Sequence, residues 1–264
     1  MKKNLREKYG EWALITGASA GIGEAFAHHL ARAGMNLILV ARRKERLEIL
    51  ASTLIQKYRI QALCVPLDLT DGDFLETLTR SVGDREVGML INNAGYGSTG
   101  RFTERDAAWE ANMVRLNCWA PTVLAYHYIP PMVARRRGAV IFVASVVGYQ
   151  PTPLMTTYAA TKAFNLFMGE GLSHELRPYG IDALALSPGT TDTEFQEVAH
   201  IASRGPLVAT AEEVVATAMR ALGRRPSVVD GWINRALAFS PRILPRRMAL
   251  YLAGRIAGLL HGDG

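Results

Sequence analysis

The chain has 264 residues, 30 Lys and Arg against 24 Asp and Glu, a formal charge of +6, and 49% hydrophobic residues. That length buries a core without disulfides or a structural metal, and the composition excludes a disordered chain. The cationic surplus leaves nucleic acid, an anionic membrane and a phosphorylated small molecule open as partners, and the question is where the excess sits.

The N-terminal MKKNLREKYGEW is charged, and the apolar run from Trp12 to Ile15 is too short for a signal peptide. No stretch reaches the roughly 18 apolar residues of a membrane span, so a cytoplasmic protein is expected. Residues 13–16 form a short apolar run that ends in a glycine-rich turn. Residues 22–33 carry apolar side chains at helical spacing, with Gly34 as C-cap. A second apolar run, 37–40, precedes a charged amphipathic helix over 44–58 with Leu47, Leu50, Leu54 and Ile55 on one side. Further strands are expected at 62–65, 89–91, 139–144 and 183–186, and helices at 74–82, 158–176 and 211–222. Residues 109–133 read as one long helical region bent near Pro121. Val228 and Val229 add a short last strand. Apolar runs without alternation are buried on both faces. Interleaved with helices, they imply a doubly wound parallel α/β sheet with right-handed crossovers. No repeat or low-complexity linker divides the chain, so 1–264 reads as one domain, elaborated beyond about residue 190. Cys64 and Cys118 lie far apart in apolar stretches and read as buried, inert thiols. The histidines have no metal-ligand spacing, so no metal is expected.

Candidate chemistry gathers at the strand ends. The first strand runs into Thr16-Gly17-Ala18-Ser19-Ala20-Gly21-Ile22-Gly23, and a helix follows. Glycines are needed where backbone approaches a pyrophosphate and where a helix packs tightly on a strand. The helix N-terminus then offers N–H groups and partial positive charge; the alternative is a plain tight turn. After the second strand come Arg42 and Arg43, where an NAD enzyme usually carries an acidic residue. Two arginines suit a 2′-phosphate, and the alternative is a solvated basic start to the next helix. Asp68 and Leu69 follow the third strand. Asn92-Asn93-Ala94-Gly95 follows the fourth, where buried amides can tie adjacent strands together. Tyr158 and Lys162 are four residues apart on a helix and share a face. A phenol with an ordinary pKa of ~10 is a poor acid–base catalyst, and a nearby ammonium lowers it. Ser145 lies just past the fifth strand, at the carboxyl edge where such sheets place ligands.

The TGxxxGIG turn, the NNAG run, Ser145 with the YxxxK pair, and Asn117 within Arg115-Leu116-Asn117 resemble the short-chain dehydrogenase/reductase family over nearly the whole length. The resemblance implies a Rossmann-type domain and an oxidoreductase that moves hydride between NADP(H) and a carbonyl or alcohol. It makes Tyr158 the general acid or base, with Ser145 polarising the carbonyl oxygen. Lys162 would hold the nicotinamide ribose and lower the tyrosine pKa, and Asn117 would support a water that relays protons. The implied cofactor-binding residues are Gly17, Ser19, Ala20, Gly21, Ile22, Gly23, Arg42, Arg43, Asp68, Leu69, Asn93, Ala94, Gly95, Tyr158, Lys162, Pro188, Gly189, Thr191 and Thr193. Many NADP-using members carry a basic residue where this chain has Ala20, so the preference for NADP(H) over NAD(H) rests on Arg42 and Arg43. Residues from about 190 to 210 read as a substrate lid. Tyr96, Val147, Gly148, Tyr149 and residues 151–155 are the expected substrate-facing positions, and their lack of charge favours an apolar substrate. The family commonly forms homodimers or homotetramers. The alternative function is a non-catalytic NADP(H)-binding regulator, a class that usually loses the tyrosine.

The segment from about 240 to 264 remains. At ~100° per residue, Met248, Leu252, Ile256, Leu259 and Leu260 share one side of a helix, opposite Arg246 and Arg247. Such a helix could lie on an anionic membrane, pack at a subunit interface or cover the active site. Basic residues cluster at 42–46, at 135–137 and in this segment. None forms a nucleic-acid motif, so no nucleic-acid partner is expected.

Overall fold

The structure, a computed structural model, describes residues 5–192, 194, 208–243 and 245–261. Thr193 and most of the expected lid lie outside the described residues. Seven strands form one sheet: β1 (Trp12–Thr16), β2 (Asn36–Ala41), β3 (Ala62–Pro66), β4 (Val87–Asn92), β5 (Gly138–Val143), β6 (Ile181–Ser187) and β7 (Ser227–Val229). Their order is β3-β2-β1-β4-β5-β6-β7, and every pairing is parallel. All residues of β1, β4 and β5 are buried, as uninterrupted apolar runs require when both faces are covered.

The pleat sends alternate side chains into two core layers. Ile15 and Ile91 join one layer with α2 (Gly21–Arg32), α3 (Lys44–Tyr58) and α8 (Ala211–Ala221). Leu14 and Leu90 join the other with α4 (Phe74–Val82) and α6 (Ala120–Arg135). α7 (Thr156–Leu176) packs on the latter side against β5 and β6. A short α1 (Leu5–Tyr9) closes the bottom, where Tyr9 Oη and Lys8 Nζ donate to Asp182 of β6 at 2.8 and 2.7 Å.

Three local expectations change. On α3 the buried stripe is Leu47, Leu50, Ala51 and Leu54, while Ile55 is 42% exposed. The helical repeat carries position 55 off the stripe that position 51 completes. Cys64 and Cys118 are free but only half-buried; the Cys64 thiol donates to the Leu47 carbonyl at 3.3 Å. The expected helix over 109–133 is three pieces: α5 (Ala107–Val114), one π-helical turn (Arg115–Trp119) and α6. Pro121 sits in the first turn of α6, directly after the π turn, and without an N–H it cannot bond the Asn117 carbonyl four residues back. The distortion therefore lies upstream, in the wider turn that carries Asn117.

The chain end forms α9 (Trp232–Phe239) and α10 (Arg246–His261). Among the described side chains of α10, Ala249 and Ala253 are buried, whereas Met248 and Leu252 are 48% and 42% exposed. Small residues allow the close approach, and Gly254 lies so near Pro153 that an added Cβ would sit 3.4 Å from that ring. Among the described residues, no helix is long and apolar enough to cross a membrane.

The approach of α7 to the sheet is set by Gly169, whose missing Cβ would fall 2.8 Å from the Ala185 Cβ. Two residues further on, on the opposite side of the same helix, Gly171 has open space around its Cβ position. Gly169→Ala is expected to destabilise the fold by about 1–3 kcal/mol through overpacking. Gly171→Ala is expected to stabilise it by about 0.5–1 kcal/mol through helix propensity. Urea midpoints at unchanged m-value measure both.

Candidate active site

β1 turns toward β2 on one side while β4 continues the sheet on the other, and a crevice opens at their carboxyl ends. Thr16 holds that junction together. Its hydroxyl donates to Ile91 O at 3.2 Å and accepts the amides of Asn93 and Ala94, both at 3.0 Å. Asn93 returns the bond: its Nδ2 donates to Thr16 O at 2.9 Å and to Gly17 O at 3.3 Å. Asn93 thus ties the strands as expected. The side-chain amide of Asn92 is buried and has no hydrogen-bond partner among the described residues.

The glycine turn follows from this tight junction. Gly17 adopts φ +65°, and a Cβ there would lie 2.9 Å from the Ala94 Cα. A Cβ on Gly23 would lie 2.2 Å from the Gly17 carbonyl, so α2 packs directly on the strand end. Ala20 is the N-cap of α2 and brings no side-chain acceptor to the first-turn amides. Those amides and the helix dipole face the crevice.

The crevice encloses about 430 Å³. It is lined by Gly17, Ser19, Ala20, Gly21, Ile22, Arg42, Arg43, Asp68, Leu69, Asn93, Ala94, Gly95, Ser145, Tyr158, Lys162, Pro188, Gly189 and Thr191. Gly23 and Asn117 stand behind this lining and shape it. A basic end, a cradle of glycines and uncapped helix amides, and an apolar shelf at Leu69 and Ala94 fit a phosphorylated dinucleotide.

Charge at the basic end is balanced by neighbours. Arg43 donates through Nε and Nη2 to Ser19 Oγ at 3.3 and 3.1 Å, and through Nη1 to Glu194 at 2.7 Å. Arg46 bonds the other oxygen of Glu194. Hydrogen bonds from Arg46 and Arg43 hold the Glu194 carboxyl below its ordinary range. Arg42 approaches Asp68 at 3.7 Å. Asp68 also accepts the Thr70 amide and hydroxyl at 2.9 and 2.7 Å. Burial pushes the Asp68 carboxyl up, but these bonds outweigh it and keep it low. The N-cap of α4 is Asp73, which leaves Asp68 to the crevice.

The reactive groups come from β5 and α7. Tyr158 and Lys162 are both buried, with the ammonium 5.7 Å from the phenol ring centre. Ser145 follows β5 in extended conformation; its Oγ accepts the Val147 amide at 3.4 Å and shares a hydrogen bond with Tyr158. Lys162 Nζ donates to Val143 O at 2.9 Å. Burial raises the Tyr158 phenol above its ordinary value, and the Ser145 bond works against that rise. Burial also pushes Lys162 down to about 8, with Cys118 pulling it slightly back. Lowering of the tyrosine pKa by Lys162, expected from the sequence, is not what the geometry gives: burial raises the phenol, and Ser145 is the group that works against the rise.

Asn117 is fully engaged. Its Nδ2 donates to Tyr96 O at 2.9 Å and to Thr161 Oγ1 at 3.0 Å, while its Oδ1 accepts the Tyr96 amide at 3.2 Å. Asn165 Nδ2 donates to the Asn117 carbonyl at 2.8 Å. The Thr161 hydroxyl donates to Tyr158 O at 2.8 Å, which closes a buried network under the tyrosine. Sequence reasoning missed Thr16, Thr161, Asn165 and Glu194. Thr161 and Asn165 sit three and seven residues after Tyr158, so polar side chains on a core-facing helical stripe were the available signal. Of the expected substrate wall, Tyr96, Val147 and Met155 line the crevice. Gly148 instead abuts the α7 backbone, and Tyr149 packs inward on Ala144, Leu166 and Ala185.

The Lys162 value has a measurable consequence. Its folded pKa of about 8 lies below the unfolded value, which is near ~10.4. Between the two, the unfolded chain carries a proton that the folded chain has lost, so stability rises with pH across that window. Against Lys162→Met, the cofactor-free wild type is expected to gain on the order of 1–3 kcal/mol from pH ~8 to ~10, read from urea unfolding. A difference that does not change with pH would show that the ammonium is solvated.

Comparison with known proteins agrees with this geometry. The short chain dehydrogenase family matches residues 11–202. A 7beta-hydroxysteroid dehydrogenase from Clostridium sardiniense is 34% identical over 235 residues, covering 88% of this chain and 90% of that one. A solved structure concerned with 7beta-hydroxysteroid dehydrogenase stereoselectivity superposes with a TM-score of 0.87 at 30% identity, covering 95% of this chain and 99% of that one. A short-chain dehydrogenase from Sphingobium yanoikuyae, solved in complex with NADPH, superposes at 0.78 with 36% identity, covering 88% and 93%. With its nucleotide cradle, its serine, tyrosine and lysine on one crevice and these relatives, the chain belongs to the short chain dehydrogenase family, and it is an oxidoreductase acting between hydroxyl and carbonyl groups.

Proposed function

We propose that the protein is an NADP(H)-dependent reductase of bulky, apolar carbonyl compounds, steroid-like or long-chain in shape. The observation that carries this reading is the meeting of Ser145, Tyr158 and Lys162 on the crevice that also bears the glycine cradle and Arg43. The nicotinamide cofactor supplies the hydride to the carbonyl carbon. Tyr158 gives its phenolic proton to the carbonyl oxygen, and the phenol stays protonated through neutral pH because burial raises its pKa. The Ser145 hydroxyl donates to the same oxygen and stabilises the charge that develops there. Lys162 holds the nicotinamide ribose and supplies a cation beside the phenolate that remains. Asn117, fixed by Tyr96, Thr161 and Asn165, positions the start of α7 and the proton path to Lys162.

Arg43 is the proposed 2′-phosphate ligand, with Arg42 beside it. Glu194 sits on Arg43 and Arg46 where the phosphate would compete for the same guanidinium groups. Apolar Val147 and Met155 with Tyr96 support a large uncharged substrate, and the 7beta-hydroxysteroid dehydrogenase relatives support the same class. Exposed Tyr126 on α6 and Phe167 on α7 support a homo-oligomer through those helices. A cytoplasmic location goes with this reading. A non-catalytic regulator has no need of an assembled serine, tyrosine and lysine, and the relatives named as dehydrogenases do not favour it.

Tyr158→Phe is expected to lower kcat on a ketone substrate by about 10²–10⁴ while NADPH affinity stays within threefold. Retained turnover would remove Tyr158 as the acid. Arg43→Ala is expected to weaken NADPH binding about tenfold with NADH unaffected. Glu194→Gln is expected to tighten NADPH and leave NADH alone. Fluorescence titration of both nucleotides measures these two variants, and equal effects on NADH would place Arg43 and Glu194 away from the 2′-phosphate.

A further inference from the structure

Half of the exposed large hydrophobic side chains among the described residues, eight of sixteen, fall between Trp232 and Leu252. Trp232 is 78% exposed, Ile243 72% and Tyr251 64%. Clustering on one stretch of 21 residues is unlike the scattered apolar residues of an ordinary surface. The same stretch is strongly cationic. Residues 231–261 contain five arginines and no Asp or Glu, which accounts for five of the six net charges of the chain. On α10, Ala249 and Ala253 point inward. At ~100° per residue, Arg247, Tyr251 and Arg255 lie opposite that pair, with Met248 and Leu252 along one flank.

We propose that the outer face of α9 and α10 docks on an anionic lipid bilayer. Aromatic and aliphatic side chains interleaved with guanidinium groups suit the boundary between headgroups and acyl chains. Each arginine near the surface adds to the attraction by anionic lipid. A second copy of the chain fits this face poorly. A two-fold contact would set the patch against itself, with arginines opposite arginines and no carboxylate on either side to neutralise them.

The location matters for the crevice. α9 packs against residues 146–149, the Asn234 amide of α9 fills the space beside Gly189, and Gly254 of α10 meets Pro153. These loops carry or adjoin Val147, Met155 and Pro188, which line the crevice. Docking therefore brings the lipid surface beside the substrate side of the site. An apolar carbonyl compound dissolved in the bilayer would then reach the site without crossing water. That consequence rests on the substrate class proposed above, whereas docking itself does not.

The test is flotation of the full chain with vesicles of phosphatidylcholine alone and with roughly 30 mol % phosphatidylglycerol. The expected result is binding to the anionic vesicles at least tenfold above the neutral ones, lost at about 0.5 M salt. Trp232 emission should shift to the blue on those vesicles, and the shift should vanish in Trp232→Phe. The double variant Arg246→Glu, Arg247→Glu should lose flotation at unchanged NADPH affinity, which reports that it is folded. No wild-type flotation, or equal flotation of the double variant, overturns the proposal. So does a double variant whose only change is its sedimentation coefficient, because the face would then join copies of the chain. Turnover of a water-soluble ketone tests the substrate reading separately, since it requires no vesicle.

Discussion

The Thr16 hydroxyl is a single group on which the site depends. It makes three hydrogen bonds, one to Ile91 O and two from the amides of Asn93 and Ala94. Together with the Asn93 amide it welds the end of β1 to the end of β4, where strand order reverses. With the strand ends so close, only a residue without Cβ fits at Gly17, and only Gly23 lets α2 start against the turn. The cradle is thus a consequence of strand spacing at the switch point. Removing the hydroxyl would leave two buried amides without their acceptor, a cost of about 1–3 kcal/mol for each group.

A second polar core sits under the reactive tyrosine and depends on the π-helical turn. The residue four positions after Asn117 is Pro121, which has no N–H, so the Asn117 carbonyl lacks its helical donor. In the wider turn that carbonyl accepts from Asn165, and the side chain reaches Tyr96 and Thr161. Asn117, Thr161 and Asn165 are buried and their side chains are paired, the condition under which buried polar groups specify one arrangement. The first two turns of α7 are thereby fixed from below, and Gly169 fixes its middle against β6. Tyr158 and Lys162 are held in a rigid frame although the crevice above them is open.

Much of this was legible in the amino-acid order. Seven short apolar runs between helical stretches specify a parallel sheet, because a strand buried on both faces leaves no alternation to misread. The glycine turn, the Arg42-Arg43 pair and the spacing of Tyr158 and Lys162 were legible because each depends on a few neighbouring positions. Glu194 was not. Its role arises from a contact with Arg43 across 151 positions of chain, and no local pattern encodes that. The π turn itself was hidden because its residues have ordinary helix propensity, although Pro121 marked the irregularity that lies in the turn before it. On α10 the sequence left open whether the apolar stripe meets a membrane, a neighbouring subunit or the crevice. Periodicity identifies two faces and does not say which one is inside; here close packing of Ala249, Ala253 and Gly254 decides it.

The charge balance follows the same division between local and distant. Arg43 and Arg46 share Glu194, Arg42 faces Asp68, and Arg135 and Arg137 both reach Glu86. The cationic clusters near the sheet are thus matched by carboxylates, and each such exposed pair contributes little to stability. Their value lies in exchange, because a carboxylate on a guanidinium is readily replaced by a phosphate with more acceptors and more charge. The arginines after residue 230 have no such carboxylate within their own 31 residues. A guanidinium without a counter-ion is stable on an exposed face because water solvates it, and it attracts any anionic surface that comes near. On the function and docking proposed above, the same arrangement of charge gives the crevice an exchangeable phosphate site and leaves the chain end with an attraction for anionic lipid.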